Sequence, residues 1–406
     1  MTGRRWTLLI VLASLLLATL AAACGGGGDE AAPPPPPAET APAAETGGAP
    51  AETTEEPAPS QYGVGLQLGD TIGETEVGSS TAPWLVWNPT SCSFEETDDH
   101  PDAYQALLRT ITGGPTQIGY MHYGDVDPFG VANSKNINEV ATQAGFNPIN
   151  VYNLKYPSES EPLAQARNSV LKKDAGVIQA QQVASVAPAF FKTLQTEGCI
   201  PSVQMYLAVK EAPAFGAVWA DVGRTQGTWM AEQALAKSWD PAETALVQCT
   251  DPALGEDVNS MFATGPEALR EGGFDIPDAN IYALKCEFTP QKAKVPVTDW
   301  LTAHPDVKTI LMQTIDDERM SGMLNAVKQA GRLDDVIDIA SGTDELGQKQ
   351  IKSGIQQASI GYFPEKYGEW LVPMLEDVMA GNPVPSFVGQ ALPVITQDNI
   401  QQYYPD

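Results

Sequence analysis

Thr309–Ile351, TILMQTIDDERMSGMLNAVKQAGRLDDVIDIASGTDELGQKQI, decides the fold. Thr309–Met312 has the unbroken apolar character of a strand buried on both faces, and Met320, Met323, Leu324 and Val327 then recur at helical spacing. Gly331 stops that helix, Val336–Ala340 reads as a second buried strand, and Gly342 opens a turn that closes on Asp344. Strand, acidic turn, helix, strand, acidic turn is the pattern of a parallel α/β sheet, which binds small molecules beyond the carboxyl ends of its strands. Asp316, Asp317 and Asp344 are therefore expected at one mouth, with Asp317 read as the helix cap.

Two motifs in this stretch resemble the second lobe of the ribose-binding type of periplasmic binding protein. The first is IDDERMSGMLNAVKQAGR, with Asp316 where the family usually has Asn, and the second is Gly342-Thr343-Asp344. A looser resemblance runs over roughly residues 116–400 and includes AGVIQAQQVASVAPAFFKTLQTEGCIPSV and the closing VPSFVGQALPVITQDNIQQY. It implies an α/β fold of two doubly wound parallel-sheet lobes, joined by a hinge of three crossings and able to close on a small polar molecule.

The residues themselves carry a βα rhythm that agrees with this. Strands are expected at Gln117–Met121, Asn150–Leu154, Ala175–Ala180 and Ser202–Leu207, with helices at about 131–144, Glu161–Lys173 and Val186–Glu197 between them. A first crossing is expected at Gly216–Arg224, with the helix after Gly227 opening lobe two. Further strands are expected at Ala245–Cys249 and Ile281–Cys286, and a return crossing at Ala358–Phe363. The expected division is lobe one at 116–218 with 363–392, and lobe two at 219–362 with 393–406. Residues 61–115 read as an amino-terminal extension with a PWLVW patch and one helix, Asp102–Thr112, in which Trp84 and Trp87 are packing residues.

The amino-terminal end reads as an export signal, residues 1–23: Arg4 and Arg5, an apolar run from Trp6 to Leu20, then LAAAC. That run is shorter than the ~20 residues of a membrane span. Cys24 resembles the lipidated cysteine of a bacterial lipobox, which implies a lipid anchor to the cell membrane and an extracytoplasmic location. Residues 24–60 are almost wholly Gly, Pro, Ala, Glu and Thr, with too little apolar character for a core, so an extended disordered linker is expected.

A formal charge of −28 excludes nucleic acid as a partner held by charge. In an exported chain the four cysteines after Cys24 invite disulfides, and four allow three pairings. Cys249 and Cys286 end neighbouring expected strands and are paired on that ground, leaving Cys92 with Cys199; free core thiols are the alternative. Neither a CxxC nor a Cys/His spacing points to a metal, and no cofactor is implied. Three His without HExxH spacing, and the lack of GxSxG or a phosphate loop, speak against an enzyme. Paired acids suit a glycosidase dyad, and equally a sugar binder.

Carried over residue by residue, the resemblance implies ligand contacts at Tyr123, Asp127, Phe129, Tyr206, Asp316, Asp344 and Tyr362. Gly130 replaces the family's second aromatic, and Tyr206-Leu207 and Thr264 stand where the family has charges, with Arg224 the nearest basic suspect. Aromatic faces stack on the C–H side of a sugar ring and carboxylates accept from vicinal hydroxyls. The expected ligand is a neutral sugar or polyol first and an amine-bearing molecule second. The resemblance thus implies a monomeric solute-binding lipoprotein that delivers the ligand to an ABC permease; the alternative is a sensory receptor domain of the same fold.

Overall fold

The computed structural model describes Thr71–Ile72, Thr75–Glu76 and residues 83–405, apart from 102–103, 105, 112–115, 123–127, 155–159, 181–185 and 207–208. The signal, Cys24, the linker, Tyr123 and Asp127 lie outside the described residues.

A two-residue hairpin, β1 (Thr71–Ile72) with β2 (Thr75–Glu76), precedes a second antiparallel pair, β3 (Trp84–Asn88) and β4 (Ser93–Thr97). Lobe one then alternates β5 (Ile118–His122), α1 (Pro128–Gln143), β6 (Asn150–Asn153), α2 (Glu161–Lys172), β7 (Gly176–Gln179), α3 (Ala187–Thr193), β8 (Ser202–Met205) and β9 (Ala214–Gly216). Lobe two runs α4 (Trp219–Ala236), β10 (Thr244–Thr250), α5 (Gly255–Glu271), β11 (Ile281–Lys285), α6 (Pro290–Ala303), β12 (Thr309–Thr314), α7 (Asp317–Gln329), β13 (Val336–Gly342), α8 (Glu345–Lys352) and β14 (Ala358–Gly361). The chain returns through α9 (Gly368–Ala380), β15 (Val384–Pro385) and β16 (Phe387–Gly389), and ends with β17 (Val394–Thr396) and α10 (Ile400–Tyr403).

The lobe-one sheet has the order β6-β5-β7-β8-β9-β16, all parallel, and the lobe-two sheet β11-β10-β12-β13-β14-β17, with only β17 antiparallel. Each lobe thus repeats the doubly wound order in which the second strand lies outside the first and the third lies on its other side. The strand order reverses between β5 and β7, and between β10 and β12, and ligands bind such folds at that reversal.

Three expectations shift. Tyr104 and Ala106–Ile111 form no helix. The Tyr104 hydroxyl donates to Asp377 at 3.1 Å, the Arg109 N–H to Glu376 at 3.1 Å and the Ile111 N–H to Ala144 O at 2.9 Å, so tertiary partners take the donors a helix would use. The helix expected after Gly227 begins at Trp219, the expected first residue of lobe two, which leaves Ala217–Val218 rather than Gly216–Arg224 as the first crossing. Ala358–Gly361 is a strand of the lobe-two sheet, and the return crossing comes after it.

PWLVW proves to be a strand: β3 lies between β4 and β15, with Trp84 and Trp87 buried. Helix α9 packs on β7 and β8 from one side and on β3 and β15 from the other, which explains its buried Trp370, Leu371, Val372, Leu375 and Val378. In lobe two a Cβ on Gly227 of α4 would stand 2.1 Å from Gly265 O of α5, so two backbones meet where only glycine fits. Gln248, Gln313 and Gln226 form a buried amide ladder: Gln248 donates to Gln313 at 2.8 Å and Gln313 to Gln226 at 2.8 Å. Gln226 in turn donates to Thr314 O and Ala340 O, each at 3.1 Å, which fixes α4 on the sheet. The disulfides Cys249–Cys286 and Cys92–Cys199 are both present; the first ties β10 to the residue after β11, the second ties the β3–β4 turn to lobe one.

Candidate ligand-binding site

Two clusters meet where the lobes join. The first is aromatic. Tyr206 follows β8 and Trp219 opens α4 at the first crossing, Tyr362 and Tyr367 flank the second, and Phe129 comes from the first turn of α1. Ring centroids lie 5.3 Å apart for Tyr206 and Trp219, 6.1 Å for Tyr206 and Tyr362, 6.4 Å for Phe129 and Tyr206, and 6.3 Å for Phe129 and Tyr362. A hydroxyl chain stitches the crossings together. The Tyr206 and Tyr367 hydroxyls are 2.6 Å apart, Tyr367 donates to Gln390 Oε1 at 2.6 Å, and Gln390 Nε2 donates to Tyr362 O at 2.5 Å. Tyr206 adopts φ 70°, and Gly216 makes room for it, because a Cβ there would lie 2.6 Å from the ring. Burial raises the Tyr206, Tyr362 and Tyr367 hydroxyls above the usual phenolic range, so all three stay protonated.

Gly130 has an equally local reason. A Cβ on it would meet the His122 ring at 1.5 Å, so the imidazole fills the space that a second aromatic would need.

The second cluster is acidic and sits beyond β10, β12 and β13. Asp316, not Asp317, caps α7: its Oδ1 accepts the Arg319 N–H at 2.7 Å. Asp317, the next residue, is fully buried; its carboxyl accepts from Gln356 Nε2 at 2.7 Å and from the Asp344 N–H at 3.3 Å. It lies so close over α8 that a Cβ on Gly347 would be 2.4 Å from its carboxyl carbon. Asp344 caps α8 with Oδ1, accepting from Leu346 N at 2.8 Å and Gly347 N at 3.0 Å. Glu318 lies within hydrogen-bond reach of Asp344. Burial first, and Asp344 second, push the Glu318 carboxyl up to about 10; the same two causes, in that order, raise Asp317 well above its ordinary value.

Among the described residues one base serves this cluster, and the sequence reading missed it. Arg319 is 2% exposed; its Nε donates to Cys286 O at 3.1 Å, its Nη2 to Asp251 Oδ2 at 3.2 Å and its Nη1 to Asp316 Oδ2. The guanidinium also lies 5.3 Å from the centre of the Phe288 ring. Asp251 and Asp316 stand at the ends of β10 and β12, on either side of the lobe-two order reversal, and Arg319 bridges them. An acid just past a strand end, the signal that singled out Asp344, was equally present at Asp251. Arg224 pairs instead with Asp221 on its own helix at 3.6 Å, and Thr264 donates to Ala220 O at 2.7 Å.

Of the expected contacts, the structure brings Phe129, Tyr206 and Tyr362 together at the hinge and places Asp316 and Asp344 in the acid cluster. Tyr362 joins the two clusters, since the charges of Asp317 and Asp316 both bear on it. Trp219, Tyr367, Gln390, Asp251, Glu318 and Arg319 complete the arrangement. A floor of ring faces beside buried carboxyls can grip the apolar side of a small ring while receiving its polar hydrogens.

The chain resembles known proteins in sequence and in structure. The family profile described as "Periplasmic binding protein domain" matches residues 207–383. The ribose import binding protein of Salmonella typhimurium (strain LT2) is 32% identical over 127 residues, 30% of this chain. Those residues span 42% of that relative, so the chain aligns with less than half of its length. An ABC transporter periplasmic solute-binding protein from Actinobacillus succinogenes, solved with D-allose, superposes with a TM-score of 0.61 at 16% identity, over 71% of this chain and 100% of that one. A Bacillus halodurans ABC transporter solute-binding protein, solved with myo-inositol, gives 0.61 at 16% identity over 72% and 99%. A Mycobacterium smegmatis protein in complex with β-D-fucofuranose gives 0.61 at 19% over 72% and 94%. The profile match and the shared two-lobed architecture give the chain the type 1 periplasmic binding protein fold and make it similar to the ribose-binding proteins.

Proposed function

We propose that this protein captures a small hydroxylated molecule of the sugar or polyol class between its lobes and delivers it to the permease of an ABC importer. The matched profile is that of a periplasmic binding protein domain, which supports binding rather than catalysis. One observation carries the reading: the aromatic floor of Phe129, Tyr206, Trp219 and Tyr362 at the crossings adjoins the carboxyls beyond β10, β12 and β13. Ring faces and hydrogen-bond acceptors on adjoining walls suit a saturated ring bearing hydroxyls. D-allose and myo-inositol in the similar proteins are of that class. Phe129, Tyr206, Asp316, Asp344 and Tyr362 are the proposed contacts, with Tyr123 and Asp127 proposed from sequence. Cys24 is proposed as a lipid anchor that holds the binding lobes outside the cell membrane.

A thermal-shift screen of the full chain against sugars and polyols tests the reading. A ligand at 100-fold over its dissociation constant stabilises by ~2.7 kcal/mol. If no sugar or polyol raises the midpoint, the reading fails. For the anchor, Cys24→Ala is expected to move the protein from the membrane fraction into the soluble one; retention would refute it.

A further inference from the structure

The acid cluster holds more carboxyls than a neutral sugar needs. Asp251, Asp316, Asp317, Glu318 and Asp344 gather beyond the lobe-two strands, and among the described residues there Arg319 is the base. Every part of its guanidinium is committed, to Cys286 O, Asp251 and Asp316. Asp317 is committed as well, to Gln356 and the Asp344 N–H, and one oxygen of Asp344 caps α8. What remains is the face between Glu318 and the rest of the Asp344 carboxyl. Glu318 is 8% exposed, and its Oε1 is buried without a hydrogen-bond partner.

That oxygen points to something the protein does not itself supply. Two carboxyls in hydrogen-bond contact cannot both be ionised in a desolvated site, so they share a proton, and no N–H or hydroxyl among the described residues satisfies Oε1; a buried acceptor without a donor costs ~1–3 kcal/mol. A hydroxyl has one hydrogen to offer such a pair. A primary ammonium has three donors and no acceptor, carries the missing positive charge, and can take the place of the shared proton. The adjoining aromatic faces favour the same guest, since ring faces attract a cation within ~6 Å. Among the described residues no group of three or more His, Cys, Asp or Glu is placed to hold a metal ion, which leaves an organic cation as the occupant the cluster fits.

Resting on the solute-binding reading above, we propose that the ligand carries a protonated amino group beside its hydroxyls, as an amino sugar or amino polyol does, and that Glu318 with Asp344 receives it. The sequence-level preference for a neutral ligand is thereby reversed. Asp344 faces Glu318 from the turn before α8, and Asp316 and Asp317 face it from the start of its own helix; Glu365, Asp317 and Asp344 all bear on Tyr404. All of these but Tyr404 are acids, and Arg319 is taken up by Asp251 and Asp316, so the free site holds its proton tightly. An arriving ammonium ionises the pair, the shared proton leaves as it binds, and affinity rises with pH, by up to about tenfold per unit for the one proton released.

The test pairs probes that differ in one group: D-glucosamine with D-glucose, D-galactosamine with D-galactose, and D-glucamine with sorbitol. Thermal shift of the full chain ranks them, and calorimetry from about pH 6 to about pH 8, in two buffers of different ionisation enthalpy, counts the protons released. The expected result is that an amine binds at least about tenfold tighter than its hydroxyl twin, with proton release that Glu318→Gln abolishes together with the amine preference. Circular dichroism on Glu318→Gln checks its folding, and Asp344→Asn, which keeps a capping oxygen, repeats the experiment from the other side. Equal binding of a neutral twin, binding without proton release, or an unchanged preference in folded Glu318→Gln overturns the inference while the solute-binding reading stands. Failure of every amine overturns it too, and failure of neutral and amino probes alike removes both.

Discussion

Arg319 Nη2 donates to Asp251 Oδ2 at 3.2 Å, and both side chains are 2% exposed. The pair joins the first turn of α7 to the end of β10, and through Asp316 and Cys286 O it ties together three of the connections that form the lobe-two side of the site. Breaking a buried pair by removing one partner costs ~3–5 kcal/mol, because the other charge is left uncompensated. Arg319→Met is therefore expected to lower stability by about that amount. Adding Asp251→Asn should recover part of the loss. Urea unfolding of the single and double variants checks this, and a double variant no more stable than the single would show that the two residues are uncoupled.

The hinge gives a second expectation. Tyr367→Phe removes the hydroxyl that joins Tyr206 to Gln390 and leaves buried polar atoms at two crossings. Each such atom costs ~1–3 kcal/mol. A lower melting temperature is expected, with a larger radius of gyration by solution scattering if the lobes part. A melting temperature equal to that of the unmodified protein would mean that water replaces the lost bonds.

The two disulfides should separate on mild reduction. Cys199 is exposed, whereas Cys249 and Cys286 are fully buried. Alkylation mapped by mass spectrometry is expected to label Cys92 and Cys199 first, since thiol exchange needs access to sulfur. Cys249→Ser with Cys286→Ser should cost ~2–5 kcal/mol in chemical denaturation. First labelling at Cys249 would contradict the order.

Asp338 supplies a pH signature. Its carboxyl, buried in β13 with Oδ1 accepting from the Gln357 N–H at 3.1 Å, is raised from 3.8 to about 7 by burial. The native state holds this proton more tightly than the unfolded chain does. Its contribution to stability is therefore full below the unfolded value of 3.8, falls as pH rises, and is lost above the native value of about 7. Asp338→Asn keeps the acceptor and cannot ionise, so its melting temperature is expected to fall less over that window. Parallel slopes for the two proteins would show that Asp338 titrates normally.

The close contact of α4 with α5 gives the last expectation. Gly227→Ala places a methyl 2.1 Å from Gly265 O, a backbone atom that cannot swing aside. Overpacking of this kind costs ~1–3 kcal/mol, measurable as a lower urea midpoint. An unchanged midpoint would mean that the two helices can separate without loss.

The order of elements was legible because it is written locally. Thr309–Met312 and Val336–Ala340 are apolar on both faces since a parallel sheet is covered on both sides, and Gly331 and Gly342 mark the turns with φ 70° and 118°. A short apolar run before a cysteine was enough to set Cys249 beside Cys286, because their strands are sheet neighbours. Which acid does what was not legible in this way. Asp316 and Asp317 are adjacent and chemically alike, and only the packing of α8 and Gln356 against one of them makes it a buried carboxyl and leaves the other as the cap. Nothing local to Arg319 marks it as buried, and Asp251, 68 positions earlier, closes over it only on folding. The Tyr206–Tyr367 bond spans 161 positions. The sequence by itself determined most of the strands and the βα order of the two lobes, because hydrophobic period and turn chemistry act over a few residues. The tertiary structure alone decided the charge state and commitments of the site, because burial and partnership are set by residues the chain brings together only on folding.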